Sequence, residues 1–224
     1  MPVSNTQPIR AVGLVAIASG ITSIALLANH PGGQAHDFAG VLKNEASHQL
    51  ADAIVHGGFI VVLAVQFVCY AIFSAHLGMW RTSVITGLVF FAVGSMFLSG
   101  SMTLDGLVTP ALAVKYLATP DKAEFAKSSL VLVGALIRFL MPIGVAFQSI
   151  GIAGWGWALF ASRRSRVAGI IGLAIGVGAF LALVSTATTM NPIVLMGAIA
   201  GTTLWAITVG TVFARNAATP ACRE

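Results

Sequence analysis

Charge is what this sequence has least of. Asp, Glu, Lys and Arg make up 8% of its 224 residues, against about 25% in soluble domains. A soluble domain of this length would lack polar cover for its surface, so that class is excluded. Cysteine is also scarce. Cys69 falls inside an apolar run and Cys222 lies near the end of the chain, which leaves no disulfide framework and no Cys-based zinc site. There is no phosphate loop, no nucleophile elbow, no HExxH and no convincing internal repeat. Acidic residues are missing from the middle of the apolar runs. That argues against a proton-driven transporter, which needs an ionisable group at depth.

Apolar surface is abundant instead. Hydrophobic residues reach 57% and mean hydropathy is +0.92. Glycine is frequent at 24 residues, as suits helices that pack closely in lipid. A bilayer crossing takes roughly 20 apolar residues. Six runs qualify, at about 9–29, 50–76, 82–104, 130–161, 167–188 and 192–213. Polar breaks separate them at "NHPGG", "HLGMWR", "ATPDK", "SRRSR" and "MNP". Unpaired strand edges are not tolerated in lipid, so the fold class is all-α integral membrane, one six-helix domain over 1–224. The first run is longer than the usual signal-peptide core. It is read as a retained helix, although "GGQA", ending at Ala35, is a weak cleavage site.

The formal charge is +5, but its placement reads as topology and not as affinity for nucleic acid. Arg10, Arg81, Arg163, Arg164, Arg166, Arg215 and Arg223 share one side of a six-span arrangement. Lys43, Lys115, Lys122 and Lys127 fall on the other, with Asp37, Glu45, Asp52, Asp105, Asp121 and Glu124. The positive-inside rule assigns the Arg side to the cytoplasm. Both termini are then cytoplasmic, and a bacterial-type inner membrane is the expected setting. His30, His36, His48 and His56 join the acids outside, and His76 lies inside. Helix 4 is too long for the hydrocarbon core, so helix ends are expected to project on the extracytoplasmic side and, with the 29–44 loop, to form a cap. Counting inward from the Arg side puts His56, Asp105 and Arg138 at roughly one level, the outer interface.

The stretch "NEASHQLADAIVHGGF" (44–59) carries the best functional clue. Wound as one helix, Glu45, His48, Asp52, His56 and Gln66 occupy an arc of about 80°. A polar stripe on an apolar helix faces protein or a water-filled cavity. Glu45 and His48 form Glu-x-x-His, a spacing that places two ligands on adjacent turns. Glu45, His48, Asp52 and His56 are therefore candidate metal ligands, with Asp105 from helix 3 as a cross-helix partner. Imidazole with carboxylate suits Zn, Fe or Cu. Haem, through His30 or His36, is not favoured, because the candidate histidines come from helix 2 or the loop before it. The bland alternative is a solvated helix extension in which Asp52 or Asp105 pairs with Arg138.

Other features are weaker. Asp105-Gly106 and Pro110 interrupt an apolar run, so Asp105 either caps a short helix starting near Gly106 or serves as ligand or base beside His56. Arg138 is expected to form an ion pair or to hold an anionic group, and Pro142 to kink helix 4. Gln66 and Gln148 are the deep polar side chains. The small-residue runs "GLAIG" (172–176) and "GAIAG" (197–201) point to close packing of helices 5 and 6 and to a homo-oligomer contact. Trp155 and Trp157 are expected in an interfacial belt, and "STATT" (185–189) reads as a hydroxyl-rich outer end. Three functions follow: a membrane metalloprotein, enzymatic or redox, with an extracytoplasmic site; a small-solute or ion carrier using Asp105, Arg138, Gln66 and Gln148; or an accessory subunit without chemistry of its own.

Overall fold

A computed structural model describes residues 6–31, 37–185 and 192–216. All the regular structure among them is helical. The helices are α1 (Thr6–Ala28), α2 (Phe38–Ser47), α3 (Gln49–Leu77), α4 (Thr82–Thr103), α5 (Thr109–Leu117), α6 (Ala123–Ala161), α7 (Arg166–Ser185) and α8 (Pro192–Asn216). A π-helical turn, Leu104–Val108, joins α4 to α5, so Thr82–Leu117 is one continuous apolar rod. Among the described residues, six helices are long and apolar enough to cross a membrane. His36, Ala35, "STATT" beyond Ser185, Met190, Asn191, Cys222 and Arg223 lie outside the described residues.

Those six helices form a ring in chain order. Each of α1, α3, α4, α6, α7 and α8 packs on the next, and α8 closes against α1. In lipid this association depends on van der Waals fit, and glycine supplies it where backbones nearly touch. A Cβ on Gly13 would lie 2.7 Å from the Gly210 carbonyl oxygen, and one on Gly156 would lie 2.7 Å from the Leu173 amide. The "GLAIG" run serves α6 more than α8. Gly176 backs onto Ser149 and Ala153 of α6, whereas Gly172 meets both Gly156 of α6 and Trp205 of α8. In "GAIAG", Gly201 rests on Ile175 of α7, and a Cβ at Gly197 would meet nothing within 4 Å.

The loops bearing Arg81 and Arg164 meet the α8 terminus at one end, where the Arg164 Nη1 donates to the His76 carbonyl (2.6 Å) and His76 lies against Phe213. Above them an aromatic core fills the ring: Tyr70, Phe73, Phe91, Trp155, Trp205 and Phe213 are all buried. Trp155 is therefore core and not belt, with its indole N–H donating to Ser74 Oγ at 2.9 Å. Trp157 is exposed, as a belt residue would be.

The opposite end carries a cap. At 39 residues, α6 is about 58 Å long, nearly twice the hydrocarbon thickness, and it passes through Pro142 as an unbroken helix. Its projecting end packs with α2 and α5. Leu42, Ala113, Tyr116 and Ala126 form a small core there, flanked by Phe38, Ala46, Leu112 and Leu130. Asp37 caps α2 by accepting the Gly40 N–H at 2.7 Å. The stretch 45–66 is not a single helix, because the chain bends at His48 (φ −102°, ψ 4°) between α2 and α3.

Candidate metal centre

The π-turn positions the site. Pro110 has no N–H to return to the preceding turn, and Asp-Gly is a weak helical pair. The Thr109 N–H reaches five residues back to Leu104 O, and its hydroxyl donates to the same oxygen at 2.9 Å. Asp105 sits inside this wide turn and does not cap a new helix. The extra residue lets the turn press against α3. Gly106 is buried, and a Cβ there would fall on the His56 ring. Only glycine allows this approach.

His56, on α3, is 2% exposed. Its Nδ1 donates to the Asp52 carbonyl, four residues earlier, at 2.9 Å. A neutral imidazole so bonded leaves a lone pair on Nε2. That nitrogen faces two groups, Asp105 Oδ2 at 3.2 Å and His30 Nε2 at 3.3 Å. His30, just past α1, is tied the same way: its Nδ1 donates to the Pro31 carbonyl at 2.9 Å, and its ring meets that of His56 edge-on. Three electron-pair donors, all within 4.8 Å of one another, thus converge from three segments. A proton on His56 Nε2 can satisfy Asp105 or His30 but not both.

Two edges of the triad suit a small transition metal. Bonds of about 2.0–2.1 Å at tetrahedral angles place ligand atoms about 3.3–3.4 Å apart, against the 3.2 and 3.3 Å from His56 Nε2 to Asp105 and to His30; the third edge, His30 to Asp105, lies within 4.8 Å. Backbone carbonyls that fix Nδ1–H are the usual means of orienting a metal-bound imidazole. Two histidines and one carboxylate leave coordination positions open.

Of the residues singled out in the sequence, His56 and Asp105 meet directly. Glu45, His48 and Asp52 stand around them without joining the triad of donor atoms. Burial pushes the Glu45 carboxyl above the usual carboxylate range; the Asp52 and Asp105 carboxylates push the same way, and His48 and His56 oppose. Arg138 is exposed on α6 and forms no ion pair among the described residues, where His56–Asp105 is the only such contact. His30 is the residue that sequence reasoning placed only as a haem candidate. Its signal was present: it ends the first span on the same side as His56.

Gln66 and Gln148 lie elsewhere. They line a cavity of about 40 Å³ on the ring axis, with Ser23, Phe59, Met102 and Met141 among its other walls. Phe59 and Met102 lie one turn inward of His56 and Asp105, on the same helix faces. The Gln148 amide donates to Ser95 Oγ at 3.0 Å. Gln66, 4% exposed, has no hydrogen-bond partner among the described residues.

Comparison with protein-family models, curated proteins and solved structures returned no match. The geometry alone carries the functional reading.

Proposed function

We propose that this chain is an integral membrane metalloprotein that binds one divalent transition metal through His30, His56 and Asp105. The observation that carries this is the convergence on His56 Nε2 of a carboxylate oxygen and a second imidazole nitrogen, while the Nδ1 of each imidazole is committed to a backbone carbonyl. A cation at their common focus satisfies all three donors. The arginine bias supports an extracytoplasmic position for the site, beside the lipid surface. An open coordination position suits activation of a water molecule or electron transfer.

The test is elemental analysis with an absorption spectrum on the detergent-purified chain, beside His30→Ala, His56→Ala and Asp105→Ala. The expected result is near-stoichiometric metal in the wild type and its loss in each folded variant. Metal content unchanged by all three substitutions overturns the reading.

The axial cavity favours a second reading, a carrier for a small polar solute, because a buried amide without a partner calls for a guest or water. It predicts uptake into proteoliposomes that falls in Gln66→Leu while metal binding persists. Uptake equal in the two proteins removes it.

A further inference from the structure

The axial cavity lies directly inward of the triad. Phe59 on α3 and Met102 on α4 wall it, one turn from His56 and Asp105. Its far wall carries Gln66 and Gln148. Along α3, Gln66 follows His56 by ten residues, about 15 Å of helix. Along α4, Ser95 accepts the Gln148 amide N–H at 3.0 Å and precedes Asp105 by the same count. Two helices thus set the buried amides at one depth below the triad.

The cavity is narrow, uncharged and rich in acceptors. Its 40 Å³ has room for about three water molecules. From Phe59 to Gln66 it runs about 10 Å along α3, so it is one molecule wide. Among the described residues no charged side chain lines it. Ser23 and Thr202 each spend the hydroxyl proton on a carbonyl of their own helix, Ser19 at 3.1 Å and Ile199 at 2.8 Å. The Gln148 N–H is committed to Ser95. These three side chains offer only oxygen lone pairs, and the Gln66 amide supplies the free donors. A buried amide left unpaired is costly, so the cavity calls for a guest that both donates and accepts. A cation would enter without a counter-charge, which costs more.

We infer that the axial cavity is the tail-binding site for the metal centre's substrate, an unbranched amphiphile with a metal-binding head and a neutral hydroxyl or amide group about 15 Å along its chain. The inference rests on the triad as the site for the head. Between the two stations the walls are apolar, with Val62, Leu63, Leu98 and Val145 among them, and suit methylene groups. The layer between triad and cavity is Phe59 and Met102, and methionine, unbranched and flexible, adapts readily to a guest. The arginine bias puts the head at the outer face and the tail at hydrocarbon depth. The substrate class is accordingly a lipid-soluble chain and not an aqueous solute.

The experiment loads the full chain with Co²⁺ in detergent and titrates it with straight-chain hydroxamates, read by the visible absorption of the metal. Two probes span about 15 Å, one ending in methyl and the other in hydroxyl. Acetohydroxamate, too short to reach the cavity, is the reference ligand for each protein. In the wild type the hydroxyl-ended probe should bind about tenfold more tightly than the methyl-ended one. Gln66→Leu should abolish or invert that preference. Ala198→Phe, which narrows the cavity from its α8 wall, should weaken both long probes toward the reference. Long probes that bind the wild type no tighter than acetohydroxamate, or a hydroxyl preference that survives Gln66→Leu, overturn the tail site and leave the triad standing. A wild type that takes up no Co²⁺ overturns the triad and the tail site together.

Discussion

At the Arg-bearing end of the ring, Tyr70, Phe73, Phe91, Trp155 and Trp205 interlock with ring centroids 4.7–6.4 Å apart. At the cap end the axis holds Gln66, Gln148 and a cavity, and above them His30, His56 and Asp105. The aromatic end is filled so completely that the Tyr70 hydroxyl and the Trp205 indole N–H are buried without hydrogen-bond partners among the described residues. The cap end leaves space, and its polar groups face one another. The lesson is a division of labour: one end holds the ring shut, and the other keeps donor groups poised around a point where a cation fits.

Substitutions at the two ends should separate stability from metal binding. The largest expected effect is at the aromatic end. Trp155→Ala removes the side chain at the centre of that core and its bond to Ser74, and should cost about 3–5 kcal/mol. Thermal unfolding in detergent measures the loss, while the folded fraction should still bind metal. His56→Ala should do the reverse, abolishing metal while shifting the apo unfolding temperature much less. A Trp155→Ala protein that unfolds like the wild type would break the comparison.

Gly106→Ala comes next, because it tests whether the π-turn and the site are one unit. The added methyl falls on the His56 ring, so overpacking should cost about 1–3 kcal/mol and metal affinity should fall at least tenfold. Gly57→Ala, one residue beyond His56 and with nothing within 4 Å of the new Cβ, is the control. It should be neutral or stabilising by about 0.5–1 kcal/mol, with unchanged affinity.

A smaller effect is a pH slope. Glu45 has a folded-state pKa above the ordinary 4.5, so the folded apo protein holds a proton that the unfolded chain has released. The Glu45 contribution to apo stability should therefore be fullest below pH 4.5 and decline as pH rises through the raised value. Glu45→Gln should flatten that decline. Metal in the triad should reverse the slope, since its imidazole and carboxylate ligands bind it deprotonated. Unfolding temperatures across pH, with and without metal, check all three expectations. The smallest effect is Gln66→Leu, which removes a buried amide with no partner and should change stability by no more than about 1 kcal/mol.

Much of this architecture is legible in one dimension. The six expected spans overlap the six apolar helices throughout, with the third and fourth extended at the cap end, because lipid demands long runs without charge. His56 and Asp105 were paired by counting residues from the Arg side, since helical rise converts sequence distance into depth. His30 was legible by the same count but was set aside, because a loop residue has no helical phase to follow. The stripe from Glu45 to Gln66 was drawn on one straight helix. The bend at His48 put Glu45 on a different element, and local sequence offers no strong breaker there. Arg138 was expected to find a carboxylate. It is exposed and makes no ion pair among the described residues; counting residues gives depth along a helix but not azimuth about its axis.

The sequence by itself determined the helical class and the six apolar spans, because each follows from the cost of charge and free backbone in lipid. Only the tertiary structure decided which donors meet. The ring brought the end of α1 onto α3, and the π-turn aimed Asp105 at the Nε2 of His56. Those contacts depend on how helices rotate about their axes, and packing sets that rotation.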